Sequence, residues 1–273
     1  VWDDIAQNSL FKAKVLACAQ EFALPTWYGE LVDVVPIARY VGPYVVVAVD
    51  GSQIFPDRHQ GSSCFLINVG TVLLRYGTQS CAVLESQPYV FTGNEIEHEQ
   101  FFKGDMTPDG ISCRRNMLEL SHGFYMMEQH IGTSTPTILL LDGSLLFWHL
   151  ASKPLDVQHY FAAQYMTVFE ELYKQSSLVA GYISLPHSKE LVSLIRFSMS
   201  QGDRTVFDSL KGDEFLVDKH IINKYVPLGA RSCVFKSNTA VAKLYPEHLH
   251  PHFFYMHTHK EIVRVEIPAW IAH

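Results

Sequence analysis

Two strongly apolar runs in this chain end in the same three residues. Val45-Val46-Val47-Ala48-Val49 leads into Asp50-Gly51-Ser52, and Ile138-Leu139-Leu140-Leu141 leads into Asp142-Gly143-Ser144. A short, continuous apolar run bounded by turn residues reads as a strand covered on both faces, so the fold needs a sheet with a layer on each side. Each aspartate then stands where a buried strand is expected to stop, with Gly-Ser supplying the turn. Either copy alone is ordinary turn chemistry. Both together place two carboxylates at strand ends, where α/β sheets gather their ligands, and carboxylates against an apolar core call for a cationic partner such as a divalent metal.

The rest of the pattern supplies the other layers. Residues 3–22 carry Ile5, Leu10, Phe11, Val15, Leu16 and Ala19 at helical intervals, which predicts one amphipathic helix ending before Pro25. A connector with Pro36 and Pro43 precedes the first apolar run, and a loop over 54–61 follows it. Residues 63–76 and 80–92 are β-rich and flank Gly77-Thr78-Gln79, a hairpin signal. Residues 95–109 are polar and turn-rich, and a helix is expected over 112–130. A strand over 137–141, a helix over 156–175, a strand over 177–184 and helices over 188–200 and 213–225 come next. Strands over 231–236, 253–258 and 262–267 close the chain. This order is that of an α/β protein with a ribonuclease-H-like mixed sheet flanked by helices. We expect an N-terminal helix and connector over 1–44 and one large domain over 45–273.

Hydrophobic content of 48% with 18% charged residues excludes a disordered chain, and every apolar run is too short to span a bilayer. Cys18, Cys64, Cys81, Cys113 and Cys233 are scattered singly, as expected of reduced core residues in a cytoplasmic protein. A net charge of −7 argues against a broad basic face for nucleic acid, though not against a local channel or delivery of substrate by a partner. The chain opens on Val1-Trp2-Asp3-Asp4 with no signal pattern, which leads us to expect that it starts inside a longer one. Gly-x-x-x-x-Gly-Lys-Ser/Thr, His-Glu-x-x-His and Gly-x-Ser-x-Gly are absent from the sequence, so an ATP motor, a zinc protease and a serine hydrolase lack their anchor motifs.

Phosphodiester hydrolysis needs an activated water and relief of charge on the phosphate, both of which paired metal ions supply. Hard carboxylate oxygens suit Mg²⁺ or Mn²⁺, which makes Asp50 and Asp142 the expected catalytic metal ligands. Glu119, on the helix between the two strands, is the best third catalytic and metal-binding carboxylate. Arg114 and Arg115 could meet phosphate, while a solvated helix face is the plainer reading for at least one of them. His248, His250, His252, His257 and His259 could point several imidazoles one way, yet Pro246 and Pro251 and the lack of zinc spacing favour a surface loop. An actin-like ATPase or sugar kinase, or a non-catalytic adaptor of a DNA-translocating complex, stand as alternatives.

These residues resemble the NurA nuclease family over most of the chain from about Val45. Val47-Ala48-Val49-Asp50-Gly51-Ser52 resembles the family opening, and Leu139-Leu140-Leu141-Asp142-Gly143-Ser144-Leu145 its second acidic strand. Ala180-Gly181-Tyr182-Ile183-Ser184 with Ser188-Lys189-Glu190-Leu191-Val192 is similar to its central strand and helix. Arg231-Ser232-Cys233-Val234-Phe235, Phe253-Phe254-Tyr255 and Arg264-Val265-Glu266-Ile267-Pro268-Ala269-Trp270 are similar to its closing strands. The resemblance implies a ribonuclease-H-like fold and manganese-dependent DNA cleavage, as 5′-to-3′ exonuclease and endonuclease. It also implies a homodimer, and partnership with the hexameric HerA helicase-translocase in DNA end resection and double-strand break processing. It assigns Asp50 and Asp142 as metal ligands and Glu119 as the acidic helix residue. Family members continue to a Tyr-Pro…Ala-His segment whose histidine contributes to the site; this chain reaches Ala272-His273, too close to the last strand for that role to be carried over.

Overall fold

The structure, a computed structural model, describes residues 1–56, 64–77, 79–92, 107–129, 135–210 and 215–272. In chain order the elements are α1 (Trp2–Ala6), α2 (Ser9–Phe22), β1 (Thr26–Trp27), β2 (Val34–Pro36), β3 (Tyr44–Ile54), β4 (Phe65–Tyr76) and β5 (Cys81–Phe91). Then follow α3 (Pro108–Glu128), β6 (Thr137–Asp142), α4 (Leu155–Lys174), β7 (Leu178–Ser184), α5 (Glu190–Ser200), α6 (Arg204–Ser209) and α7 (Asp218–Tyr225). The chain closes with β8 (Ala230–Ser232), β9 (Phe235–Lys236), β10 (Pro251–His257), β11 (Ile262–Pro268) and α8 (Ala269–Ala272). Parallel and antiparallel strands with packed helices make this the expected α/β architecture, compatible with a ribonuclease-H-like fold. Among the described residues no helix is long and apolar enough to cross a membrane.

Contacts divide the chain into two compact units. One comprises Val41–Asp142 and Phe147–Ala180. Here β3 is parallel to β6, with Val45 opposite Thr137 and Val49 opposite Leu141, and antiparallel to β4 along its whole length. The hairpin partner β5 runs antiparallel to β4, as the Gly77 turn predicts. Val45, Val47 and Val49 alternate with half-buried Val46 and Ala48, which is strand periodicity imposed on a continuous apolar run. α3 covers the Val49 face so closely that a Cβ on Gly123 would meet Leu139 Cδ1 at 2.8 Å and Val49 Cγ1 at 3.2 Å. Phe65, Ile67 and Val69 of β4 meet Ile111 of α3 in a second apolar cluster.

The other unit comprises Val1–Tyr40, Gly143–Leu146 and Gly181–His273. Its sheet joins β10 and β11 as a hairpin, with β7 added along β11 through Gly181–Ser184 and the short strands β8 and β9 along β10. Phe11, Val15 and Phe22 of α2 pack on Leu191, Leu194 and Phe197 of α5 beside Phe253 and Tyr255 of β10. Burying each such side chain contributes about 1.5–3 kcal/mol.

Several boundaries differ from expectation. The first helix is two helices, because Asn8 turns its side chain back to accept from the Leu10 and Phe11 amides and so caps a new start. α3 begins four residues early, where Thr107 caps and Pro108 takes the first turn; His130 lies outside the described residues. The helix expected over 213–225 occupies Asp218–Tyr225, with residues 213 and 214 outside the described set. The single strand expected over 231–236 is the pair β8 and β9.

Candidate functional site

Asp50, Glu119 and Asp142 all belong to the unit built on β3. The two aspartates differ in setting. β6 does stop at Asp142, but β3 runs on through Asp50-Gly51-Ser52 to Ile54, because β4 keeps pairing with it (Asp50 opposite Gly70, Ser52 opposite Asn68). The expected turn at the first Asp-Gly-Ser is therefore absent. Parallel pairing of Val49 with Leu141 makes Asp50 and Asp142 the next residues on neighbouring strands, which lie about 4.8 Å apart. Both are exposed.

α3 adds the third carboxylate by a match of two periods. Residues 115, 119 and 123 stand on one helix face at four-residue steps, and 49, 51 and 53 on one strand face at two-residue steps. Accordingly Gly123 packs on Val49, Glu119 reaches Gly51, and Arg115 Nη1 donates to Gln53 Oε1 at 2.8 Å. The Gly51 amide donates to Asp50 Oδ1 at 2.9 Å, and its dipole also favours the charged form of the Glu119 carboxyl. A side chain at Gly51 would strike both Glu119 Oε1 and Arg115 Cγ.

Burial pushes the Glu119 carboxyl up to about 7, against the opposing pull of the Arg115 guanidinium, with the Asp50 and Asp142 charges adding to the rise. Arg115 Nε stands 3.1 Å from Glu119 Oε1, out of line for a hydrogen bond, so the pair is a charge contact. Arg115 also donates to Asn116 Oδ1 at 3.0 Å. With its donors turned onto Gln53, Asn116 and Glu119, Arg115 is an internal brace and not a free phosphate contact. Arg114 stacks its guanidinium 4.7 Å from the Phe91 ring centre. Among the described residues, no three His, Cys, Asp or Glu side chains are gathered tightly enough to hold one ion: Asp50 Oδ1 is turned onto the Gly51 amide and Glu119 onto Arg115.

Behind Arg115 lies a group of residues that the sequence reading did not single out. Asn116 Nδ2 meets His149 Nδ1 at 3.3 Å, His149 Nε2 meets Tyr165 Oη at 3.2 Å, and Tyr165 Oη donates to the Cys113 carbonyl at 2.8 Å. Burial pushes His149 down to about 4, with the Lys153 and Arg115 charges acting in the same direction, so its imidazole is neutral at pH 7. Asn116, next to Arg115, was the one available signal.

The other unit treats the second Asp-Gly-Ser differently. Gly143 has φ +115°, a conformation that side chains rarely adopt, and its amide donates to the Tyr182 carbonyl at 2.9 Å. Buried Glu266 accepts from Ser144 Oγ at 2.7 Å and from the Leu145 amide at 2.8 Å. Arg264, also buried, pairs with Glu266 at 2.8 Å and with Glu190 at 2.5 Å. Neither Glu266 nor Arg264 was expected to be more than part of a closing strand.

Of the five histidines expected on a surface loop, His259 is exposed on the bend between β10 and β11, whereas two are not on a surface loop. His250, just before β10, and His252, within it, are buried, and His252 stacks on Tyr28; they form no described metal cluster. His273 lies outside the described residues. Cys113 and Cys233 are core residues as expected, whereas Cys64 and Cys81 are exposed. A family model for the NurA domain matches residues 44–273. No curated protein matches the chain.

Proposed function

The chain belongs to the NurA domain family, a nuclease family linked to DNA end processing, and on that premise we propose that it is a Mn²⁺-dependent deoxyribonuclease acting through Asp50, Asp142 and Glu119. What supports this most is the parallel register that sets Asp50 and Asp142 side by side, with Glu119 Oε1 held against Gly51 beside them. The donor chemistry suits the group: carboxylate oxygens are what Mn²⁺ or Mg²⁺ prefers. Asp50 and Asp142 would hold the ion, and Glu119 would join once Arg115 yields it. Held there, the ion supplies charge relief on the phosphate and a more acidic water.

Cleavage is 5′-to-3′ exonucleolytic and also endonucleolytic, in end resection or double-strand break processing, with the protein working as a homodimer beside a HerA-type hexameric helicase-translocase in the cytoplasm. A net charge of −7 fits DNA delivered by such a motor better than DNA gripped by this chain alone. The test is cleavage of linear DNA with Mn²⁺ or with a chelator. Wild-type protein should cut only with the metal, and Asp50→Ala and Asp142→Ala should each lose about a thousandfold, the rate equivalent of several kcal/mol of charge stabilisation. Equal rates for wild type and Asp50→Ala would remove this mechanism.

A further inference from the structure

We propose that Asn116, His149 and Tyr165 form a directed hydrogen-bond relay that positions Arg115, and through it Glu119, for the nuclease reaction; this rests on Glu119 being part of the nucleolytic site. The direction follows from the two ends. Arg115 can only donate, so the Asn116 oxygen must face it and the Asn116 amide nitrogen must face His149. That nitrogen can only donate, so His149 Nδ1 accepts and its ring proton sits on Nε2. Nε2–H then donates to Tyr165 Oη, whose own proton goes to the Cys113 carbonyl, which can only accept. Every link has one allowed polarity, and reversing any of them leaves two donors or two acceptors facing each other.

Packing alone does not call for this arrangement. Tyr165 is fully buried, stacked on Phe147 with ring centres 3.9 Å apart, and His149 meets its ring edge at 88°. An apolar ring at 149 would fill the same space, whereas a buried polar group is costly unless its partners are in place. The relay instead fixes the Asn116 amide, which holds one arm of the Arg115 guanidinium while Gln53 holds the other. With both arms fixed, Nε is left beside Glu119. Asn116, His149 and Tyr165 are thus positioning residues for a carboxylate they do not touch.

Two measurements test this. Long-range ¹⁵N–¹H correlation on histidine-labelled protein, with His149 identified by the signal missing in His149→Phe, should show a neutral ring protonated on Nε2 at pH 7. A proton on Nδ1, or an imidazolium, would overturn the relay. On Mn²⁺ and linear DNA, folded His149→Phe should lose about tenfold or more in kcat with little change in KM. His149→Gln, whose amide can accept from Asn116 and donate to Tyr165, should recover most of the loss. Unchanged kcat in His149→Phe, or equal losses in the Phe and Gln variants, would overturn the proposal; if the Phe variant does not fold, Asn116→Ala takes its place against Asn116→Gln. Absence of cleavage by wild type would count against the nuclease reading alone, since the tautomer is measured without substrate.

Discussion

The same tripeptide, Asp-Gly-Ser, is used in two opposite ways in this molecule. At 50–52 it lies inside a strand: β3 passes through it in full register with β4, and Gly51 is there because Glu119 and Arg115 occupy the space a side chain would need. At 142–144 it ends a strand: Gly143 has open space where a Cβ would stand, and it is glycine because φ is +115°. The first copy crowds charged side chains around one amide. The second has its turn tied down by a buried carboxylate, Glu266. Identical residues therefore carry no fixed meaning; the partner strand and the helix above decide between a crowded charged site and a turn.

Removing the tie should have the largest effect on stability. Glu266→Ala strips the partner from Arg264 Nε and from the Leu145 amide, both deep in the unit. Breaking a buried pair in this way costs about 3–5 kcal/mol, read by denaturant unfolding. Asp50→Ala, at an exposed carboxylate of the first copy, should stay within about 0.5 kcal/mol of wild type. Equal losses in the two variants would erase the distinction between the turn tied down by Glu266 and the exposed carboxylate at Asp50.

The two glycines separate further when each is changed to alanine. Gly51→Ala places a Cβ 2.7 Å from Arg115 Cγ, an overpacking of about 1–3 kcal/mol. Gly143→Ala meets nothing within 4 Å, yet backbone strain at that φ costs a comparable 1–3 kcal/mol or so. A double-mutant cycle tells them apart. Arg115→Ala should relieve part of the Gly51→Ala cost and none of the Gly143→Ala cost. Coupling of Arg115 to Gly143 instead of Gly51 would contradict this account of the two residues.

Elements driven by local pattern were legible in the sequence. The apolar runs at 45–49 and 137–141 are strands, and the 3.6-residue pattern of 156–175 is a helix displaced by one residue. Features set by distant partners were not. Gly-Ser after Asp50 reads as a turn until β4 is known to pair with Ser52 and Ile54. His250 and His252 read as solvated because prolines surround them, but Pro251 begins a strand and His252 stacks on Tyr28, far away in sequence. Asp50, Glu119 and Asp142 could be named as candidates because residue type limits what can bind a hard cation. The Arg115 contacts to Gln53 and Asn116 required the helix and strand periods to be superimposed, which only the packing supplies.

The smallest effect is a pH slope confined to the first copy. Glu119 is held at about 7, above its ordinary 4.5, chiefly by burial. A carboxyl whose folded value is raised contributes stability that is fully present below pH 4.5 and is lost as pH rises through about 7, because the folded state holds the proton more tightly than the unfolded chain. In a chelator, Glu119→Gln should therefore flatten the stability curve between pH 4.5 and 7, with a difference on the order of 1 kcal/mol. Asp218 in the other unit, pushed up to about 7 by complete burial, slopes the same way and is untouched by the substitution, so a residual slope should survive. Mn²⁺ favours the ionised form of a carboxylate it meets, so adding it should reduce the contribution of Glu119 and leave that of Asp218 in place. Parallel wild-type and Glu119→Gln curves in the chelator would mean that burial beside Gly51 is not felt by this carboxyl, and the contrast with the second copy would then rest on the glycines alone.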